Sequence, residues 1–464
     1  MKRLIMAALL CLSISASFAQ EKLLTLEEYL SIVKRYHPLA LQAGLNTEKA
    51  KMTKRQALGG FDPKLELNSD RKIFDGKTYY NYLVPEVKIP LWYGVDLKGS
   101  YSKVTGDYVN PENKTPKDGL GYVGFSVPIG RGLFLDERRA AIKQANIYAT
   151  VAANEQQQML NDLYISATNT YAEWLNAYLN IKVYENAVKL AEVRFNGTRM
   201  LYKNGDKPAI DTLEALTLLQ SRQQKLNEYQ VLLTNKTNEL SSFMWQENFT
   251  TVNLSNISIR PDTLLLKSEP ADSLLKREAP IVASQNPEVR LYGQKLNQLE
   301  LERRLKLEEL KPTFNLNLGL LNTGRDIFQN VNTGWLANNQ KFGFTVAMPL
   351  TFTKQRAAYS LSKLKIQEAQ FQLLDKQNLV AVKWNNYKNE YNNINQQIRL
   401  NQQLQKNNQL LLNGEELRFR LGESSLFLVN SREQKVLETQ EKLNDFYTKR
   451  IKTLQYLKWL SNSF

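Results

Sequence analysis

Tyr171-Ala172-Glu173-Trp174-Leu175-Asn176-Ala177-Tyr178 lies inside a proline-free stretch that runs from Arg139 to Gly205. Around it apolar residues recur at Leu160, Tyr164, Ala167, Tyr171, Trp174, Tyr178 and Ile181, in steps of 4-3-4-3-4-3. A mean step of about 3.5 marks a coiled-coil seam, narrower than the apolar stripe of a globular helix. The stretch opens on Arg139-Ala140-Ala141, after a strand-like segment ending at Val127-Pro128, and closes in a polar elbow, Lys203-Asn204-Gly205-Asp206. The same marks occur a second time. Arg356-Ala357-Ala358 follows Met348-Pro349, then Trp384, Tyr387, Tyr391, Ile394 and Ile398 keep the rhythm up to Arg420-Leu421-Gly422-Glu423. Each stretch covers 66 positions (205 − 139 and 422 − 356). At about 1.5 Å per residue that is a rod of roughly 100 Å, against a bilayer core of about 30 Å.

A second spacing repeats as well. Thr25-Leu26-Glu27-Glu28 is a capping box that opens a helix, read here as running through His37-Pro38 to about Leu58, where Gly59-Gly60 stop it. Its counterpart starts at Asn286-Pro287 and ends at Leu310-Lys311. From this proline to the one that opens the next strand there are 25 positions in both halves (63 − 38 and 312 − 287). Two independent spacings that recur unchanged indicate a tandem duplication. The chain therefore divides into a first repeat, 20–245, with strands in 61–129 and an elbow near 205, and a second repeat, 286–464, with strands in 312–352 and an elbow near 422. Residues 246–285 lose the periodicity; Thr, Ser, Asn and the prolines Pro261, Pro270 and Pro280 mark a linker, read as a partly ordered belt against the rods.

Lys2 and Arg3, the apolar run Leu4 to Leu12 and Ser17-Phe18-Ala19 form the three-part pattern of a secretory signal peptide over 1–19. Cys11, the single cysteine, falls inside it, so the mature chain offers no disulfide and no thiolate site. Removing the two basic residues lowers the net charge from +15 to +13 (15 − 2). Bases and acids alternate along the helices, as in Leu301-Glu302-Arg303-Arg304, so the excess reads as solvated faces and not as a nucleic-acid site. No later stretch holds the roughly 18 consecutive apolar residues of a membrane-crossing helix.

Between the helices lie alternating segments. Phe314, Leu316, Leu318 and Leu320 alternate with Thr313, Asn315, Asn317 and Gly319, and Phe342, Phe344, Val346, Met348 and Leu350 alternate with Gly343, Thr345 and Ala347. The first half has four shorter runs at Leu65/Leu67, Val87/Ile89/Leu91, Val95/Leu97 and Val123/Phe125/Val127, with turns at Asp75-Gly76 and Asn110-Pro111. Such alternation suits a half-buried soluble sheet or a lipid-facing barrel wall. Export, the absence of a membrane helix and the overlong rods favour the wall. Six candidate strands cannot close a membrane barrel, which starts at about eight, so copies of the chain are expected to share one.

With these features in hand, the chain from Gln20 to Phe464 resembles the TolC family of outer-membrane efflux ducts. The elbows carry the resemblance: Leu201-Tyr202-Lys203-Asn204-Gly205-Asp206 followed by Ile210-Asp211-Thr212-Leu213-Glu214, and Phe419-Arg420-Leu421-Gly422-Glu423-Ser424-Ser425-Leu426 followed by Val429-Asn430. Each is similar to the family's Tyr-x-x-Gly…Asp-Val-Leu-x-Ala turn. The resemblance implies an α+β membrane protein, internally duplicated, in which a long α-helical coiled-coil barrel joins a shared transmembrane β-barrel. It implies a homotrimer with twelve strands in the outer-membrane lipid and a tunnel through the periplasm. It also implies that elbow residues Asn204, Gly205, Leu421, Gly422 and Ser425 meet a periplasmic adaptor protein, which links the duct to an inner-membrane pump.

Chemistry at the elbows is consistent with this. Gly205 and Gly422 permit the positive φ that reverses a helix, and Pro208 suits the first turn of the returning one. Asp206, Asp211 and Glu423 lie at or just past these turns. In a trimer they would form acidic rings at a tunnel mouth and favour cations; equally, they are acids at solvated helix starts, favoured by the helix dipole. Two features depart from the family pattern. The first strand insert spans 65 positions (128 − 63) against 37 (349 − 312) in the second, an excess that fits either an extra hairpin or long loops. In the second elbow Leu428-Val429-Asn430 replaces the usual Asp-Val-Leu.

Nothing in the sequence assembles an active site. His37, the only histidine, has no second histidine or cysteine for a zinc site or a triad. Glu27/Glu28 and Glu415/Glu416 read as helix-surface charges, and Gly130-Arg131-Gly132 as a strand-to-rod turn and not a phosphate loop. The Asn- and Gln-rich run Asn392 to Gln409 still carries Ile394, Ile398, Leu400 and Leu404, which makes it a helix with a wet face. The expectation is a passive duct for small molecules or proteins in a tripartite efflux or type I secretion system, with no enzyme activity and no cofactor. The alternative is a periplasmic coiled-coil adaptor or structural protein of an export complex, which predicts one helical hairpin instead of two.

Overall fold

The computed structural model describes residues 22–267, 272–326 and 338–463; the expected signal peptide with Cys11, and Pro270 of the linker, lie outside them. The α-helices longer than four residues are α1 (Leu26–Tyr36), α2 (Pro38–Leu58), α3 (Glu137–Lys203), α4 (Ala209–Phe243), α5 (Ala279–Gln285), α6 (Pro287–Glu308), α7 (Thr353–Arg420) and α8 (Leu426–Leu460). The strands are β1 (Lys22–Leu24), β2 (Lys64–Phe74), β3 (Lys77–Pro90), β4 (Asp96–Thr105), β5 (Leu120–Pro128), β6 (Ile259–Pro261), β7 (Thr313–Thr323) and β8 (Gln340–Ala347). The chain folds as two units, each built from segments of both repeats: residues 1–44, 156–287 and 377–464 in one, 45–155 and 288–376 in the other.

The rods form as the 3.5-residue seam predicts. α3 runs 67 residues and α7 runs 68 without a break, and α4 and α8 return over 35 residues each. From the rod ends through the returning helices the two repeats keep one offset: 420 − 203, 422 − 205, 426 − 209 and 460 − 243 all equal 217. Along α3 the seam buries Ala167, Tyr171, Trp174 and Ile181, and along α7 it buries Trp384, Tyr391, Ile394 and Ile398.

The first unit holds the largest core. Tyr29 and Val33 of α1 pack with Ala167, Tyr171 and Trp174 of α3 and Leu240 of α4. The polar tips of the large rings find partners there. The Trp174 Nε1–H donates to Thr237 Oγ1 at 3.1 Å. The Tyr171 hydroxyl donates to the Leu24 carbonyl at 2.6 Å and accepts from the Asp262 N–H at 3.1 Å. One tyrosine thereby ties a small parallel ribbon of β1 and β6 to α3.

One helix boundary differs from the sequence reading. The first helix does not continue through His37-Pro38; Thr25 caps α1, whose end at His37 has φ −67° and ψ 131°. Pro38 causes the break, because a proline ring bars the helical region to the residue before it. The second repeat breaks the same way at Asn286, φ −66° and ψ 129°, between α5 and Pro287.

The second unit carries one antiparallel sheet in the order β2-β3-β4-β5-β7-β8. All six alternating runs contribute a strand to it, with Leu91, Val95, Met348 and Leu350 falling just outside the strand ends. The longer first insert is explained by an extra hairpin: the first repeat supplies four strands and the second two. The rod α3 is pinned where it leaves this sheet. Arg139, 7% exposed, donates to the carbonyls of Leu133 at 3.0 Å and Gly132 at 2.5 Å, and Arg138 pairs with Asp96 at 2.8 Å. The matching Arg356 of α7 is exposed, so the Arg-Ala-Ala mark is shared by the repeats but this anchoring is not.

Back in the first unit, Glu173 of α3 pairs with Lys236 of α4 at 2.8 Å and Lys452 of α8 at 2.5 Å. Partial burial pushes its pKa up, but hydrogen bonds and charge from the two lysines outweigh that and hold it below the ordinary carboxylate value. A lowered folded pKa adds stability above the unfolded value, and that stability is lost as pH falls through the folded value. Acidification from about pH 6 to about pH 3.5 should therefore lower the thermal midpoint of the wild type more than that of Glu173→Gln, with the two midpoints converging at the acid end.

Candidate functional site

Gly205 at φ +82° and Gly422 at φ +79° reverse the rods. Both elbows close with the same pair of hydrogen bonds, in which the glycine N–H reaches back three residues and the next N–H reaches back five. In the first elbow these are Gly205 to the Tyr202 carbonyl at 3.0 Å and Asp206 to Leu201 at 2.9 Å; in the second, Gly422 to Phe419 at 3.1 Å and Glu423 to Arg418 at 2.9 Å. This is the Schellman motif, which satisfies orphan carbonyls and demands a left-handed residue at the turn. Pro208 stands one position earlier than expected, as the N-cap of α4, and Ser425 caps α8 by accepting from the Leu428 N–H at 3.4 Å.

All five expected elbow contacts, Asn204, Gly205, Leu421, Gly422 and Ser425, are exposed. They sit among apolar side chains that the chain itself leaves bare, equivalent across the repeat: Met200 with Leu417, 63% and 58% exposed, and Ile210 with Phe427, 64% and 67%. Asp206 and Glu423 are exposed and Asp211 is half-buried. The structure places these three acids at the elbows, Asp206 and Glu423 at equivalent positions.

A network that sequence reasoning missed lies just behind them. Arg194 of α3 donates to Glu433 at 2.8 Å and to Asn430 at 3.3 Å, both on α8, and to Glu416 of α7 at 3.4 Å. Asn430 in turn donates to Glu214 of α4 at 3.1 Å. One guanidinium and one amide thus tie together all four helices of the two hairpins. Asn430 belongs to the triplet that departs from the usual elbow pattern, and an amide suits the position because it accepts from Arg194 and donates to Glu214 at once. Glu415 and Glu416 are not the free surface charges read from sequence. Glu415 is 8% exposed and accepts from the Ser424 hydroxyl at 2.6 Å. Local pattern carries no signal for the partners of Arg194 and Asn430, which lie more than 200 positions apart.

In the other unit, the six-stranded sheet has two unlike faces. Its register aligns Ile89, Leu97, Phe125, Leu318 and Phe342 in one cross-strand row. The neighbouring row on the opposite face holds Lys88, Lys98, Gly124, Gly319 and Lys341. The apolar face is bare: Leu65 is 77% exposed, Phe342 67% and Phe344 54%. Aromatic residues flank both ends. Trp92, Tyr93 and Phe134 are exposed at the end where the strands join helices, and Phe74, Tyr79 and Tyr108 cluster at the opposite turns. On the polar face the Tyr122 ring lies over the glycine pair Gly124–Gly319, where a Cβ on Gly319 would come within 2.1 Å of it.

No family model matches the chain, and no curated protein does. Solved structures do. The CmeC outer membrane channel of Campylobacter jejuni is similar over 95% of this chain and 86% of its own, with a TM-score of 0.65 and 13% identity. The outer membrane protein VceC of Vibrio cholerae covers 94% and 96%, with a TM-score of 0.66 and 16% identity. The open state of the MtrE outer membrane channel of Neisseria gonorrhoeae covers 94% and 89%, with a TM-score of 0.65 and 12% identity.

Two substitutions test these arrangements. Arg194→Met strands Glu433, 3% exposed, without its cation and should cost about 3–5 kcal/mol of stability, while adding Glu433→Leu should restore most of it in chemical unfolding. Gly319→Ala should destabilise the sheet by about 1–3 kcal/mol through the Tyr122 clash, and Tyr122→Ala in the same chain should relieve part of that loss in a double-mutant cycle. The duplicated rods, the Schellman elbows and the two-faced sheet occur in one chain whose fold is that of these outer-membrane channels, as its resemblance to the TolC family implies.

Proposed function

We propose that the chain is a passive outer-membrane export channel, assembled as a homotrimer and extending into the periplasm. The observation that carries this reading is the two-faced sheet joined to rods far longer than lipid requires. A soluble protein rarely leaves a contiguous apolar face bare, whereas a barrel wall needs one toward lipid and a polar one toward water. Strands of 8 to 14 residues suit the thickness of a bilayer, and the aromatic groups at both ends match interfacial girdles. About 20 residues carry a helix across a membrane core, and α3 and α7 have 67 and 68. Among the described residues no helix is apolar enough to cross one.

Transport then follows from geometry, with no chemistry performed by the chain. A closed barrel pairs every strand N–H and C=O inside the lipid, and polar faces line the water path. The energy comes from an inner-membrane pump, reached through a periplasmic adaptor that packs on the bare elbow residues around Gly205 and Gly422. The cargo is a small molecule or a protein, as in tripartite efflux or type I secretion. Asp206, Asp211 and Glu423 form the acidic mouth of the tunnel and favour cations there.

The full chain should be recovered from the outer-membrane fraction as a heat-modifiable trimer, and recovery as a soluble monomer rejects the channel. In planar bilayers Asp211→Ala and Glu423→Ala should each lower the preference for cations. Unchanged preference in both removes the acidic mouth and leaves the channel itself standing.

A further inference from the structure

We infer that the extra hairpin β2–β3 is part of the membrane wall, so that three copies close an eighteen-stranded barrel and not a twelve-stranded one, with β2 of one copy paired to β8 of the next. This rests on the channel reading above. The hairpin is built as wall. Its two-residue turn has both residues at positive φ, Asp75 at +51° and Gly76 at +69°, the geometry whose twist matches flanking strands. β3 pairs with β2 along one edge and with β4 along the other, so the hairpin continues the sheet. Leu65 pairs with Val87, which carries the apolar face one strand further in the same phase.

Among the described residues the sheet ends on two unpaired edges, β2 and β8. An open edge in lipid leaves backbone groups unsatisfied, so both must be covered. A second copy fits for three reasons. The number of strands is even, so β8 of one copy meets β2 of the next antiparallel, as membrane barrels require. With the helix-joined ends level, Ala347 beside Lys64, all eight residues of β8 find partners on β2. In that register Val346 faces Leu65 on the apolar side, and Lys341 faces Asp70 on the polar side. Barrel diameter grows roughly linearly with strand number, so the lumen would be about 1.5 times as wide as that of twelve similarly arranged strands, within the range that leaves an aqueous channel.

The mature chain is expected to lack cysteine, so paired cysteines report the seam directly. In cells expressing the full chain, Leu65→Cys with Val346→Cys, and separately Glu66→Cys with Thr345→Cys, cover both kinds of antiparallel pair, hydrogen-bonded and not. On oxidation at least one of them should give covalent dimers and trimers, while Leu97→Cys with Val346→Cys, which reports a seam at β4, should not. A ladder from the β4 pair, or none from either β2 pair in a trimer that reaches the outer membrane, overturns the eighteen-stranded wall and leaves the channel reading intact. Recovery of the parent chain in the soluble fraction overturns both.

Discussion

A row of leucine and phenylalanine side chains facing outward from a sheet is costly in water and stable in lipid. Everything else in this chain is compatible with that one constraint. In the apolar row Ile89, Leu97, Phe125, Leu318 and Phe342 the last three are exposed, and the row behind it carries lysines and glycines. A soluble domain would bury the first face against a helix layer. Among the described residues the strand order leaves the edges β2 and β8 without partners, a state that lipid does not tolerate. In the channel proposed above, these edges would be covered by further copies of the chain.

The rods answer a different requirement. A helix of 67 residues gains little from propensity alone and depends on a buried seam. The seam here is aromatic and continuous, with Tyr171 and Trp174 held by hydrogen bonds to Leu24 and Thr237 as well as by packing. Near the elbows the apolar packing of Leu412, Val429 and Val436 is joined by a polar clasp, in which Arg194 reaches Glu416 and Glu433 and Asn430 reaches Glu214. Charge pairs of this kind specify geometry more than they add stability, because desolvation offsets much of the attraction. They set four helix ends in register, with Met200, Ile210, Leu417 and Phe427 exposed around them.

Much of this could be read from sequence because it depends on local periodicity. The alternation of Thr313 to Leu320 and the 3.5-residue step around Tyr171 are each set by backbone geometry within a few residues. Glycine at 205 and 422 announced positive φ for the same reason. The missed helix break at His37 is also local, since a proline excludes the helical region for the residue before it, and Pro38 was present to be read. The pairing of Arg194 with Glu416 and Glu433 was out of reach, because 222 and 239 positions separate the partners (416 − 194 and 433 − 194) and only the folded hairpins bring them together.

By itself the sequence determined the duplication, the length of the rods, the position of both elbows and the alternation of the six sheet strands, because spacing and side-chain polarity decide these one element at a time. Only the tertiary structure decided that the longer insert is an added hairpin, that the six strands share one sheet in a single phase, and that the rods are clasped by Arg194. Those facts depend on which strand lies beside which and on which charge meets which, and contacts between distant segments are chosen by packing, not by local pattern.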